Sequence, residues 1–367
     1  MSLLAEELLG KAREFIDSFL AEGQRGSRAI IAYHGDGDGC GAAYFLSRYL
    51  KRDISFYWVS TAAFDFKDAE SFLMDQDPDM VIFLDMPVYN RPEMLYKIRS
   101  KGKVFIYDHH YPGICEMGNN DPGLLYINPV VHQQGTSYPS ALFGWELLAE
   151  RTPFDREMLF MSLFTETWVG RVPLFGDFGP NHMDLLKDLA RLIHSSFLIR
   201  DMGTTHYALN FLSKVRPEGI RESGAYTHTR EYQILRNIYQ LVQNEKGWVS
   251  RQLSKEIRKI VNPIFILKGI ESQIRLCGLI ASELRWQYPG LVVGIWQRWG
   301  RRYLCELRRG ASCHINLVSL IDHIRSGAQL ITGGGHPAAA AFTAEGKHFF
   351  AALKELRDFL REKKNRD

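Results

Sequence analysis

The sequence predicts an α/β protein: a parallel sheet with flanking helices, then a helical connector, then a smaller α/β domain. Three observations carry that expectation. Short apolar runs alternate with helical patterns through the first half, as in parallel sheets covered by helices on both faces. From about 140 to 260 the pattern turns mainly helical, and after Pro263 strand patterns return. The expected boundaries are 1–195, 196–262 and 263–367.

The elements follow in order. MSLLAEELLGKAREFIDSFLAEG reads as an amphipathic helix, because its acids and bases are scattered where a signal peptide would be apolar. RAIIAYH (28–34), DISFYWVS (53–60), DMVIFLDMP (79–87) and KVFIYDHH (103–110) read as buried strands, rich in Val, Ile and aromatics. AAYFLSRYLKR, KDAESFLMD and RPEMLYKIRS read as the helices between them. SALFGWELLAE, REMLFMSLFTETW, EYQILRNIYQLVQ and the basic RQLSKEIRKIV form the helical middle. LVVGIWQ and RRYLCELRR flank Arg298-Trp299-Gly300 as a hairpin. A helix (NLVSLIDHIRSG), a glycine-rich turn (TGGGHPAAAAF) and a charged helix close the chain.

Composition narrows the function classes. The chain of 367 residues is 46% hydrophobic and 24% charged, an ordinary globular balance that excludes a disordered or fibrous protein. No apolar run reaches the roughly 18 residues a membrane span needs, so no membrane role is expected. Five cysteines without CxxC spacing imply neither a disulfide framework nor a zinc site, and point to a reducing cytoplasm. Charge is uneven: residues 1–195 carry 18 basic and 27 acidic side chains, 196–262 carry 11 and 6, and 263–367 carry 16 and 9. An acidic first half suits cations, and a basic second half suits a polyanion such as nucleic acid.

The informative regularity is where the acids fall. Asp36 and Asp38 follow the first strand, Asp85 ends another, and Asp108-His109-His110 ends a third. Ligands bind at the carboxyl ends of strands in open parallel sheets, so these groups converge on one crevice. Carboxylates so gathered repel unless cations sit among them, and a mixed oxygen and imidazole set suits Mn²⁺, Mg²⁺ or a similar ion. Two such ions about 3.5–4 Å apart can activate water and clamp an in-line phosphoryl displacement. A dinucleotide-binding turn is the rival, since Gly37–Ala42 spells GxGxxA. Two aspartates would then face a pyrophosphate, which Coulomb repulsion disfavours.

His34-x-Asp36-x-Asp38-Gly39, Asp85 and Asp108-His109-His110 resemble the first three motifs of the DHH phosphoesterases, in the form found in RecJ-like exonucleases. Gly333-Gly334-Gly335-His336-Pro337-Ala338-Ala339 resembles the signature of the accompanying DHHA1 domain. The resemblance therefore spans most of the chain. It implies that His34 and Asp36 bind one cation, that Asp38 and His109 bind the other, and that Asp85 bridges. Asp108 would orient its neighbours and His110 would face the substrate phosphate. The fourth motif of the family carries an aspartate where Ser162–Thr167 has Glu166, with Asp177 the alternative if the alignment slips. Glutamate can ligate the same ions, but its extra methylene displaces the oxygen.

In the second half, the resemblance makes Gly333, Gly334, Gly335 and His336 a binding site for a substrate phosphate or terminal nucleotide, through amide groups that approach an anion closely. Arg308 sits where the family shows a Ser-Leu-Arg-like strand and could pair bidentately with phosphate. Trp286, Trp296 and Trp299 lie in this basic region, but tryptophans at a hairpin are more often packed, so no base contact is read from them. The histidines outside the motifs (His132, His182, His194, His206, His228, His314, His323 and His348) are taken as structural. The expectation is a phosphoesterase with its site in the cleft between two domains. It would use two divalent cations, Mn²⁺ ahead of Mg²⁺, on single-stranded nucleic acid, oligonucleotides or nucleotides. Cyclic dinucleotide or 3′-phosphoadenosine phosphate hydrolysis stays open, as does a catalytically weak nucleic-acid-binding regulator.

Overall fold

The computed structural model describes residues 6–22, 28–50, 54–59, 66–110, 121–132, 138–166, 168–199, 208, 210–212, 214–215, 220, 224–259, 265–327 and 331–364. Cys115, Thr167 and His206 lie outside them. By backbone proximity the chain divides into two compact units: Met1–Phe197 with Asp201–Tyr239, and Leu198–Arg200 with Gln240–Asp367.

The first unit is built on five parallel strands: β1 (Ala29–His34), β2 (Ile54–Val59), β3 (Met80–Leu84), β4 (Lys103–Tyr107) and β5 (Leu124–Ile127), ordered β2-β1-β3-β4-β5. Successive side chains point to opposite faces, and both faces are buried. Ile31, Tyr33, Ile82, Leu84, Phe105 and Tyr107 join one core with helices α1 (Glu6–Glu22), α2 (Gly37–Leu50), α6 (Ser140–Leu147), α7 (Pro153–Thr165) and α8 (Pro180–Leu198). Ile30, Ala32, Val81, Phe83, Val104 and Ile106 pack on the other side against α3 (Phe66–Asp75) and α4 (Pro92–Arg99). The short α5 (Pro129–His132) follows β5. Burial on both faces is why these strands read as unbroken apolar runs. In this strand order the chain reverses its direction of growth between β1 and β3, where ligands of doubly wound sheets bind.

The second unit has a mixed sheet of β6 (Ile266–Ile270), β7 (Val292–Trp299), β8 (Arg302–Arg309), β9 (Thr332–His336) and β10 (Ala339–Glu345), ordered β6-β7-β8-β10-β9. Only β6 and β7 pair in parallel. The expected hairpin is present, with Gly300 at φ 65°. Cys305, Leu307, Ala340 and Phe342 face the helices Leu317–Gly327 and Gly346–Lys364. The helix Cys277–Gln287 packs against β7 and β8, its first amides (Leu276 and Cys277) donating to the buried Gln297 Oε1.

Three local expectations change. The segment expected as a loop, Gly37–Ala42, is already the first turn of α2, because the Asp36 carboxylate accepts from the Gly39 amide and caps the helix. EYQILRNIYQLVQ and the basic RQLSKEIRKIV, expected as separate helices, belong to one continuous helix, Arg230–Ile257. The glycine triplet is not a turn: it lies in β9, paired with β10, and the chain turns at Pro337-Ala338. A Cβ at Gly333 would strike the Ala341 carbonyl and Phe342, and Gly335 adopts φ 143°. No helix of the described residues is long and apolar enough to cross a membrane.

Candidate metal centre

Each motif side chain stands at the carboxyl end of a strand of the first unit. His34 is the last residue of β1, Asp36 caps α2 and Asp38 lies in its first turn. Asp85 follows β3 with its amide donating to the Tyr107 carbonyl, at a left-handed φ of 61°. A non-glycine residue held there is costly, by about 1–3 kcal/mol, and such positions cluster at functional sites. Asp108, His109 and His110 follow β4. Gly39 is required where it stands, since any Cβ would run into the His34 carbonyl.

These groups meet around Asp85. His34 Nδ1 lies 3.0 Å from Asp36 Oδ2 and 3.3 Å from Asp85 Oδ2. On the other side of the same carboxylate, His109 Nε2 lies 3.1 Å from Asp85 Oδ1 and 3.5 Å from Asp38 Oδ2. Two triads, His34/Asp36/Asp85 and Asp38/Asp85/His109, flank this carboxylate and a third, Asp85/Asp108/His110, adjoins them, each offering ligand atoms within 4.8 Å of one another. Asp38, Asp85, Asp108 and His109 are at most 2% exposed.

Helix and strand termini fix the carboxylates. Both Asp38 oxygens accept backbone amides, Oδ2 from Ser140 at 2.8 Å and Oδ1 from Ala141 at 2.9 Å, at the start of α6. The partial positive charge of a helix N-terminus suits a buried carboxylate. Asp108 Oδ1 accepts from the His109 amide at 3.0 Å and sits 2.7 Å from His110 Nδ1, so it orients both residues that follow it. Phe197 packs edge-on against His34, with ring centroids 4.8 Å apart.

Burial disfavours every charge here, so the charges depend on one another. It opposes the imidazolium forms, yet Asp36 and Asp85 raise His34 to about 9, Asp85 and Asp38 raise His109 to about 10, and Asp108 and Asp85 raise His110 to about 9. Against the same burial, hydrogen bonds from His109 and His34 hold Asp85 far below the usual carboxylate range. Asp38 is pushed well above it by burial and by Asp85. Imidazolium protons thus balance the buried carboxylates, in positions a divalent cation could take. The donor set of carboxylate oxygen and imidazole nitrogen, compact and buried, fits such ions.

Glu166 follows α7 and feels the cluster: burial, then Asp36, raise its carboxyl to about 7. Asp177, the alternative, is 69% exposed at its side chain and ion-paired with Arg156.

Three features were not read from the sequence. Asn128, fully buried after β5, donates from Nδ2 to the His110 carbonyl at 2.9 Å, while its Oδ1 accepts from the Val130 amide. An asparagine before proline at a strand end was the available signal. The amides of Ser140 and Ala141 carried no signal, since any residue but proline has one. Ser162, buried on α7, lies where a Cβ on Gly41 would fall, so α2 and α7 approach closely there.

In the second unit, Arg308 on β8 pairs with Ala339 on β10, which pairs with His336 on β9. Residues directly opposite share a face, so Arg308 and His336 rise from the same side two strands apart. Arg308 is tethered: Nε donates to Ser282 Oγ at 3.1 Å, Nη1 to the Leu307 carbonyl at 2.9 Å and Nη2 to Glu306 Oε2 at 3.0 Å. Glu306 is buried and also accepts twice from Arg275, at 3.1 and 2.9 Å. Despite burial, the two guanidiniums lower its carboxyl to about 2.

No family model and no curated protein matches the sequence. Solved structures do match in fold. RecJ from Thermus thermophilus, in complex with Mn²⁺, aligns with TM-score 0.68 and 15% identity over 98% of this chain and 55% of its own. An exonuclease RecJ bound to manganese aligns with TM-score 0.64 and 16% identity, over 95% of this chain and 94% of its own. The DHH domain of a member of a ribosomal protein family aligns with TM-score 0.65 and 16% identity, over 98% and 92%. The chain spans about half the length of the Thermus RecJ. With five parallel strands bearing the motifs and a second sheet bearing the glycine triplet, this chain has the RecJ-like DHH/DHHA1 fold.

Proposed function

We propose that this protein is a DHH-type phosphoesterase that hydrolyses phosphodiester bonds of single-stranded nucleic acid or short oligonucleotides. The observation that carries the reading is the pair of ligand triads sharing Asp85. His34 and Asp36 hold one divalent cation, Asp38 and His109 the other, Asp85 lies between them and Glu166 completes the set. Mn²⁺ is favoured over Mg²⁺ because two of the donors are imidazoles. Bound cations of this kind lower the pKa of water and neutralise developing phosphate charge.

The chain's own groups do the rest. Asp108 holds the His110 ring, through the 2.7 Å contact, in a fixed orientation toward the scissile phosphate. The Ser140 and Ala141 amides keep Asp38 from turning away from His109. Burial of the carboxylates excludes bulk water and strengthens each electrostatic interaction. Arg308, Gly333, Gly334, Gly335 and His336 receive the phosphate chain, so residues 1–195 supply the chemistry and 263–367 the substrate grip. The cysteines support a cytoplasmic setting: Cys40, Cys277, Cys305 and Cys313 are all free and buried.

The test is cleavage of end-labelled oligonucleotides with Mn²⁺. Wild-type protein cleaves and Asp85→Ala does not. Absence of cleavage by wild type, or undiminished cleavage by Asp85→Ala, overturns the reading.

A further inference from the structure

The basic second unit holds three tryptophans close together in sequence, and the fold treats them differently. Trp299 is 7% exposed, and Trp296 packs among Tyr303, Phe349 and Phe350. Trp286, in the last turn of the helix Cys277–Gln287, is 70% exposed. Burying a ring of this size is favourable by a few kcal/mol, so its exposure calls for a ligand more than the other two do.

Its surroundings say which ligand. The Arg285 guanidinium stacks on the Trp286 ring, 5.0 Å from centroid to Cζ. Arg285 Nε is buried with no hydrogen-bond partner among the described residues, so no acceptor there offsets the charge of its guanidinium. Arg308 lies near enough to repel it, adding to burial in disfavouring its charge. Ser282, one turn before Arg285, already accepts from Arg308. The acids nearby are committed elsewhere: Glu306 bonds Arg275 and Arg308, and Glu283 pairs with Lys246 at 3.2 Å. Counting Arg275, Arg285 and Arg308 against Glu306 leaves a net of two positive charges in this network, with Arg285 the member that lies over the exposed ring. Strand register continues the path from Arg308 to His336, roughly 10 Å away across two strand spacings.

We infer that Trp286 and Arg285 form a stacking post for single-stranded nucleic acid, with a base on the open face of Trp286 and its phosphodiester against Arg285 and Arg308. This rests on the phosphoesterase reading for its substrate class. Stacking fits any base, so the post gives length dependence rather than sequence preference.

The experiment compares wild type with Trp286→Ala, Trp286→Phe, Arg285→Ala and Trp248→Ala in the full chain. Trp248, 51% exposed on the long helix, serves as the control. Mn²⁺-dependent cleavage of a labelled 12-nucleotide thymidylate strand is measured, together with its binding by fluorescence anisotropy in EDTA. Trp286→Ala weakens binding and raises KM about 10-fold, Trp286→Phe restores most of it, and Trp248→Ala matches wild type. Arg285→Ala lowers the slope of log K against log salt by about 0.7. Unchanged binding and KM in Trp286→Ala, or an equal loss in Trp248→Ala, overturns the stacking post while cleavage by wild type keeps the enzyme reading. Binding that depends on Trp286 without any cleavage does the reverse. A wild-type protein that neither binds nor cleaves the strand overturns both.

Discussion

Replacing Glu306 by Gln keeps the shape of the side chain but removes the charge shared by Arg275 and Arg308. Glu306 titrates near 2 rather than at its usual 4.5, and it is 5% exposed. At 1.36 kcal/mol per pH unit that difference amounts to about 3 kcal/mol of stability, in line with the roughly 3–5 kcal/mol typical of leaving a buried partner charge uncompensated. The folded-state pKa is depressed, so the stabilisation is fully present above pH 4.5 and is lost as pH falls toward 2. The assay is urea unfolding of the full chain followed by tryptophan fluorescence, to which Trp248, Trp286, Trp296 and Trp299 of the second unit contribute. With a slope of about 2 kcal/mol per molar urea, Glu306→Gln lowers the midpoint of that unit's transition by about 1.5 M at pH 7. By pH 3 the gap between variant and wild type narrows to less than half. A shift under about 0.3 M at pH 7, or one that does not narrow on acidification, refutes the argument.

Metal binding will release protons. His34 near 9 and His109 near 10 are imidazolium at pH 7, and ligating histidines are neutral. Titration with Mn²⁺ at pH 7 in buffers of different ionisation enthalpy therefore shows release of at least two protons, with Asp38 and Glu166, whose carboxyls are also raised, adding to those of the histidines, and the number declines as pH rises through 9 to 10. Asn128→Ala frees the His110 carbonyl and leaves a buried acceptor without its donor, so cleavage falls about 10- to 100-fold while Mn²⁺ stoichiometry persists; equilibrium dialysis beside the cleavage assay checks both. Gly39→Ala drives a methyl group into the His34 carbonyl and misplaces the ligands of both triads, so it abolishes high-affinity Mn²⁺ binding, as dialysis would show.

The acids of the first unit were legible because apolar runs mark strands and the polar residue after each run marks a strand end. Asp36, Asp38, Asp85 and Asp108–His110 were found in that way, and so was the parallel sheet that gathers them, while His34 came from the resemblance of its motif to the DHH phosphoesterases. Less was legible where local pattern and tertiary context disagree. The glycine triplet looks like a turn in one dimension, and only its pairing with β10 makes it a strand. The same holds for Gly37–Ala42, where capping by Asp36 starts a helix in what reads as a glycine-rich loop.

By itself the sequence singled out the residues that the fold gathers into one cluster, since side-chain type and spacing along a strand or helix are local properties. Tertiary structure alone decided how those residues are shared and held. Asp85 faces both triads because β3 lies between β1 and β4. Asp38 is fixed by amides 102 and 103 residues away, and Asn128 reaches His110 only across a strand boundary. Trp286 stands open near the end of its helix while Trp296 and Trp299, on a strand of the second sheet, are packed. Contacts between distant segments depend on how the chain closes its loops and stacks its layers, and no short-range pattern records that.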